Sequence, residues 1–161
     1  MKKYILIFSI LAILTACDKD PVEFVYSLHC IVVDQDGNDL LNPDTQGAIE
    51  ISKIEIYYLK NGGEFSKYYD RNLDSPKGYR VSKHELDDDH EYKCTFSFPP
   101  YEEYKGKKTL TIVKWNENES DTIVSEIHKD GGLAITTNFE LNGSSDIEWI
   151  ASRTFKLVKK R

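Results

Sequence analysis

Short runs of alternating apolar and polar residues fill most of this chain and restrict it to a fold built from strands. The run 92–98 carries Tyr, Cys, Phe and Phe at every second position, and the run 133–141 alternates in the same way. A period of two places successive side chains on opposite faces of a strand. Turn residues such as Asn142-Gly143 separate the runs, and no segment shows a convincing helical period. The sequence therefore predicts an all-β protein.

The alternation predicts about nine strands. They are 22–33, 48–60, 64–69, 78–84, 90–98, 107–115, 121–127, 133–141 and 147–158. Strands of this length and spacing predict an antiparallel β-sandwich of immunoglobulin-like topology, with a small β-barrel as the alternative. The parity of apolar residues shifts between Ile51 and Ile54, which predicts a bulge or bend. The basic end, 156–161, is interpreted as a charged edge strand.

The first 17 residues have the order of a secretory signal. Lys2 and Lys3 are followed by the apolar run 4–14, which as a helix covers roughly half of a ~30 Å hydrocarbon core. The residues "LTAC" ending at Cys17 resemble the lipobox of bacterial lipoproteins, and this resemblance implies cleavage before Cys17 and acylation of that cysteine. An ordinary signal peptide and an uncleaved membrane helix are the alternatives. We expect 1–16 to be a lipoprotein signal peptide, 17–23 a lipidated tether and 24–161 a single β-sandwich domain.

The charge of the mature chain excludes one class of partner. Residues 1–16 contain two lysines and no acid, so that their removal takes the net charge from −6 to −8. An acidic surface repels nucleic acid and anionic lipid. We therefore expect attachment to the membrane through the lipid alone, and no nucleic-acid partner.

Two cysteines remain in the predicted domain. Cys30 and Cys94 both lie on the apolar side of alternating runs, which predicts that both sulfurs face the core. In an exported protein the two can form a disulfide, which in a sandwich would join the two sheets. Two buried free thiols, which behave as small apolar groups, are the other interpretation.

Few residues have the spacing of a metal or catalytic site. The cluster Asp34, Asp36, Asn38 and Asp39 around Gly37 is a weak calcium candidate, although Asp and Asn also favour turns. None of the four histidines lies two or four residues from another, and there is no G-x-S-x-G sequence or glycine-rich phosphate loop. We therefore expect a non-enzymatic protein with no catalytic residues and no cofactor, calcium excepted.

Tyrosines supply the main binding hypothesis. Tyr57-Tyr58 and Tyr68-Tyr69 lie on neighbouring predicted strands, so that one member of each pair faces the core and the other solvent. Flat aromatic rings can stack on sugar faces, and tyrosines in strands also simply stabilise sheets. The candidate ligand contacts are Tyr58, Tyr69, Tyr101 and Tyr104.

A family resemblance rests on four segments: the lipobox, "DQDGNDLLNP" at 34–43, "SDTIVSEI" at 120–127 and "NFELNG" at 138–143. Together they resemble small β-sandwich lipoproteins of the Bacteroidetes type, a group without a shared activity. In such bacteria, acidic residues after the lipidated cysteine are associated with display on the outer face. Asp18 and Asp20 match this pattern and Lys19 interrupts it. The resemblance implies a bacterial outer-membrane lipoprotein, with surface exposure favoured over a periplasmic position.

These observations predict a membrane-anchored, non-enzymatic binding module of the cell envelope. Its loops 34–47, 85–90 and 99–106 would contact an envelope protein or a glycan. A carbohydrate-binding accessory lipoprotein is the alternative, and an envelope hydrolase is the third hypothesis.

Overall fold

The computed structural model describes residues 23–60, 63–83, 92–98, 108–130 and 133–160, and these residues form eleven strands. The strands are β1 (Glu23–Val25), β2 (Ser27–Val33), β3 (Glu55–Leu59), β4 (Phe65–Lys67), β5 (Tyr79–Lys83), β6 (Tyr92–Ser97), β7 (Lys108–Lys114), β8 (Ser120–Asp130), β9 (Leu133–Leu141), β10 (Trp149–Ala151) and β11 (Thr154–Val158).

The strands form two sheets, which confirms the predicted all-β sandwich over the small barrel. Sheet A has the order β1-β9-β8-β7-β3-β4, and sheet B has the order β10-β11-β2-β6-β5. Most pairings are antiparallel, but β1 pairs with β9 and β11 pairs with β2 in parallel. The late strands β9 and β11 lie beside the N-terminal strands β1 and β2, and these two contacts are the parallel pairs. The immunoglobulin-like topology stays a prediction.

The predicted first strand, 22–33, is two strands in different sheets. β1 ends at Val25 and pairs with β9 in sheet A, whereas β2 begins at Ser27 and pairs with β6 and β11 in sheet B. The single-strand prediction was wrong because alternation continues through Tyr26 while the hydrogen-bonding partners change. A strand that changes sheets makes a corner of the sandwich.

The core lies between the sheets and follows the predicted alternation. Leu28, Cys30 and Val32 of β2 point inward with Phe96 of β6, and from sheet A Ile56 and Val113 meet them. The parity shift before β3 arises from a 3-10 turn, Ile51–Lys53, rather than a bulge. A turn of this kind resets which side chains face inward, so that Ile54, Ile56 and Tyr58 are all buried.

A buried polar network closes one end of the core. The carboxylate of Asp121 accepts hydrogen bonds from Trp115 Nε1 at 2.5 Å and Asn142 Nδ2 at 2.7 Å, and it forms an ion pair with Lys159. Lys159 is buried, and its Nζ lies 5.3 Å from the centre of the Trp115 ring. The interpretation of 156–161 as an edge strand was wrong: β11 lies between β10 and β2. The sequence pattern did not reveal that Lys159, one of the lysines in 156–161, pairs with a buried carboxylate.

Arg153 joins the two sheets at the corner made by Tyr26. Its Nε donates to the Ser27 carbonyl at 2.7 Å, and its Nη1 donates to the Thr136 carbonyl at 2.7 Å. Nη2 donates to Thr136 Oγ1 at 2.6 Å, and it lies 3.4 Å from the Val25 carbonyl. Burial lowers the pKa of the guanidinium from its usual value. One side chain therefore donates hydrogen bonds to backbone carbonyls of β1, β2 and β9 at this corner.

Candidate functional site

The four tyrosines predicted to contact a ligand have different environments. Tyr58 is only 2% exposed, packs edge-on against Tyr68 at 5.1 Å, and donates its hydroxyl to the Ser97 carbonyl. It is a core residue, so its assignment as a ligand contact was wrong; it shares the inward parity of Ile54 and Ile56. Tyr69 is 67% exposed, as a surface contact requires. Tyr101 and Tyr104 lie outside the described residues.

Tyr69 belongs to a groove between the β4–β5 connection and strand β5, here called the Tyr69 groove. Its volume is about 440 Å³. The lining residues are Tyr69, Asp74, Ser75, Pro76, Lys77, Tyr79, Arg80 and Val81. Phe65 and Leu73, each 47% exposed, lie on the same segment of chain as Tyr69. The groove thus combines an aromatic ring with charges of both signs, the composition of a surface that binds a polar partner.

Gly78 allows the chain to enter β5 beside this groove. Its φ is +77°, and an added Cβ would lie 2.8 Å from Tyr68 Cδ1, closer than side chains pack. Its N–H donates to the Ser75 carbonyl at 2.9 Å, and its carbonyl accepts from Ser97 N–H at 3.0 Å. Only glycine combines a positive φ with this close approach at no steric cost. The shape of the groove therefore depends on a residue without a side chain.

The structure reveals a second surface, here called the Trp149 surface, which the sequence did not single out. Trp149 is 43% exposed on edge strand β10, and it lines two depressions of about 490 and 340 Å³. Phe139 of β9 lines both depressions. Asn138, Glu140 and Ser145 complete the first, and Thr136, Thr137, Ala151, Ser152 and Arg153 complete the second. The predicted single strand 147–158 was wrong: a turn at 152–153 divides it into the antiparallel strands β10 and β11, and only the strand order places Trp149 at an edge.

The side chains around Trp149 are held in defined positions. Phe139 and Phe155 pack against the indole at centroid distances of 5.8 and 6.1 Å. Asn138 has a φ of +50°, and its Nδ2 donates to Glu126 Oε2 at 2.7 Å. This hydrogen bond, together with one from Lys108, lowers the pKa of Glu126. Because its amide nitrogen serves as donor to a carboxylate, the carbonyl oxygen of Asn138 is left as an acceptor.

The weak calcium candidate is a hydrogen-bonded turn. Asp34 Oδ1 accepts from the N–H groups of Asp36 and Asn38, both at 2.9 Å, and these bonds with that of the Asn38 amide lower the pKa of Asp34. Asp39 accepts from Leu41 N–H and from Tyr92 N–H on β6. The carboxylates thus organise the turn and tie it to sheet B. Within the described ranges, no three His, Cys, Asp or Glu side chains are grouped to hold a metal ion.

The histidines that the structure describes are separated. His29 lies on β2 with its Nδ1 2.8 Å from Thr95 Oγ1, and His128 is exposed near the end of β8. His84 and His90 lie outside the described residues. A zinc site needs several such ligands around one point.

Cys30 and Cys94 lie directly opposite each other on β2 and β6, and both are fully buried free thiols. Both strands belong to sheet B, so the expected inter-sheet position was wrong. Directly opposed residues of antiparallel strands have Cα atoms about 4.5–5.5 Å apart, within the range of disulfides. A Cys30–Cys94 bridge stays a prediction, now as a link between adjacent strands. Burial raises the pKa of the Cys30 thiol well above its usual value, and a hydrogen bond with Cys94 adds to the effect.

We expect neither thiol to react with iodoacetamide at pH 8.5 while the protein is folded, because both are buried and a raised pKa disfavours the reactive thiolate. In denaturant with a reductant, mass spectrometry should find both sulfurs labelled. The same measurement without reductant tests the bridge, since a disulfide removes both labels. Rapid labelling of the folded chain at Cys30 would contradict the described burial.

Comparisons with known proteins identify only the N-terminal segment. Residues 1–17 match the family model of a prokaryotic membrane lipoprotein lipid attachment site, and the match ends on Cys17. This confirms the predicted lipoprotein character and membrane anchoring. No curated protein and no solved structure matches the chain. In the part of the chain that the structure describes, no helix is long and apolar enough to span a bilayer.

Proposed function

We propose that this protein is a non-enzymatic binding module held by a lipid on Cys17 at the outer membrane, with its domain facing the exterior. The attachment segment supports the anchor. Residues 18–22 are all that separates Cys17 from β1, and five extended residues reach at most about 18 Å. The domain would therefore work close to the membrane surface. Asp18 and Asp20, in the position typical of surface lipoproteins of the Bacteroidetes type, support the outward orientation.

One observation carries the binding role: exposed aromatic side chains lie beside open, polar-lined depressions on a rigid sandwich. Tyr69 lines one groove and Trp149 lines two further depressions. Binding sites concentrate where a rigid scaffold positions such groups. The described cysteines offer no nucleophile, since Cys30 and Cys94 are buried and the pKa of Cys30 is raised. This favours recognition over the hydrolase hypothesis.

The anchor and orientation are tested on intact cells. We expect radiolabelled palmitate to enter the wild-type protein and not the Cys17→Ala variant. We also expect external protease to degrade the wild type on intact cells while a periplasmic protein survives. Survival of the domain until the outer membrane is broken would contradict surface display.

The binding role is tested by a photocrosslinking amino acid, p-benzoylphenylalanine, placed at position 69 in the full-length protein in living cells. The matched control position is Asn118, which is exposed in the turn between β7 and β8 and lies outside the three depressions and the predicted contact loops. We expect a discrete adduct, sensitive to protease or to glycosidases, from position 69 and not from position 118. No adduct, or the same adducts from both positions, would contradict a binding role for the Tyr69 groove.

A further inference from the structure

We infer that the Trp149 surface binds a neutral oligosaccharide, with the indole stacked against the apolar face of one pyranose ring. This rests on the proposed function and deepens it, because it names a ligand class. The proposal depends on the rigidity of the ring, the polar groups on both sides of it and the shape of the surface.

The indole is an exposed member of a row of four aromatic rings whose two ends lie in the core. Phe98 packs against Phe139, Phe139 packs against Trp149, and Trp149 packs against Phe155, with centroids 5.8 to 6.2 Å apart. Phe98 and Phe155 are each only 2% exposed. The tilted and edge-on packing fixes the plane of the indole before any ligand arrives. A ring fixed in this way loses little conformational entropy on binding.

The polar groups beside the ring match the alternating donors and acceptors of sugar hydroxyls. Asn138, Glu140 and Ser145 line the first depression, where the Glu140 carboxylate also lies 3.5 Å from Lys108 Nζ. Thr137 and Ser152 line the second depression. Among the described hydrogen bonds, Ser145 and Ser152 take part only through their backbone carbonyls, so their hydroxyls can bond a ligand. An apolar platform with a few polar groups around it is the usual composition of a small-ligand site.

The shape of the surface favours a chain of sugars over other ligands. Trp149 lines both depressions, so that an oligosaccharide in contact with the indole can extend into each of them. An extended peptide is disfavoured, since β10 has only three residues and its register with β11 shifts between Trp149 and Ala151. Nucleic acid is disfavoured by the net charge of the mature chain, which is −8 once the two lysines of the signal peptide are removed from a chain of −6.

The test uses the mature lipoprotein in a zwitterionic detergent that has no sugar headgroup. The probes are hexasaccharides of glucose in α-1,4, β-1,4 and β-1,3 linkage, and those of mannose, xylose and N-acetylglucosamine. Calorimetry measures affinity, and tryptophan fluorescence reports on the site, because Trp115 is buried and Trp149 is exposed. We expect at least one probe to bind, with a saturable blue shift of the emission.

Trp149→Ala should weaken that binding about tenfold or more, since one stacked aromatic ring contributes on this scale. The matched control is Ile150→Ala, the next residue on β10, which is 45% exposed and lies outside both depressions; its affinity should match the wild type. Trp149→Phe, which retains an aromatic ring, should bind with intermediate affinity. Thermal melting verifies that each variant is folded.

Two results would overturn the inference: no binding by any probe at millimolar concentration, or binding that Trp149→Ala leaves unchanged. Neither result overturns the proposed function, because Cys17 labelling tests its anchor and crosslinking at position 69 tests its Tyr69 groove separately. Conversely, sugar binding at Trp149 with no crosslink at position 69 would keep this inference and remove the Tyr69 groove from the function.

Discussion

Replacing Asp121 with alanine is expected to lower the free energy of unfolding by about 3–5 kcal/mol, the usual cost of breaking a buried ion pair by removing one partner. The carboxylate accepts from Trp115 Nε1 and Asn142 Nδ2 while it pairs with Lys159. The side chains of Asp121 and Lys159 are 8% and 7% exposed. Without Asp121, the buried ammonium keeps Glu119, at 3.2 Å, and the Trp115 ring, while the indole N–H loses its acceptor.

The measurement is urea unfolding of the variant against the wild type, followed by circular dichroism. Glu148→Ala is the matched control, because it removes an acid whose partner is also a lysine, Lys156, in a pair that is well exposed. Exposed pairs contribute at most about 1 kcal/mol, so this variant should remain close to the wild type. Asp121→Asn, which keeps the size of the side chain, should still be clearly destabilised. Equal stability of the Asp121 and Glu148 variants would show that the network does not hold the core.

Replacing Arg153 with alanine is expected to lower the free energy of unfolding by about 2–4 kcal/mol. Hydrogen bonds to charged groups contribute roughly 1.5–3 kcal/mol each, and partial exposure lets water replace some of them. In the alanine variant, the backbone carbonyls of Ser27 and Thr136 both lose the hydrogen bond that the guanidinium donates. The guanidinium also lies 5.3 Å from the centre of the Phe139 ring, which packs against Trp149. Its removal therefore loosens this aromatic packing. Arg153 has a φ of +56°, and alanine would keep this strained conformation without the contacts that offset it.

The same unfolding measurement applies, with hydrogen exchange as a second readout. Arg153→Lys keeps the charge but lacks the planar fork, so we expect a loss nearly as large as that of alanine. Arg71→Ala, at an exposed arginine in the β4–β5 connection, is the control and should change stability by less than about 0.5 kcal/mol. In Arg153→Ala, faster exchange should concentrate in β1 and β2. Uniform exchange across both sheets would contradict a role at the sheet corner.

Local patterns predicted the bounds of three strands of sheet A well. β9 has the predicted bounds, 133–141, and β7 and β8 lie close to theirs, because alternation is a property of neighbouring residues. The errors fall where a strand changes partners. The residues around Tyr26 do not indicate that Val25 pairs with Ile135 in one sheet while Cys30 pairs with Cys94 in the other. That choice depends on residues far along the chain.

The candidate site was predicted only in part, for the same reason. Tyr69 follows the outward parity of its pair, and the sequence indicated that one member would be exposed. Tyr58 was chosen although its parity matched Ile54 and Ile56, and that parity was the signal that could have excluded it. Trp149 gave no such signal, since an apolar residue in a strand is buried or exposed according to the position of that strand in its sheet.

By itself, the sequence determined an all-strand domain, a lipoprotein attachment segment ending at Cys17, and cysteines that face the core. Each follows from residues that are near one another in the sequence. The tertiary structure alone decided which strands are edges, that Lys159 pairs inside with Asp121, and that Trp149 lies beside Phe139. The physical reason is that backbone hydrogen bonding is the same for every residue, so strand pairing is chosen by how the whole set of side chains packs, and no single segment contains that information.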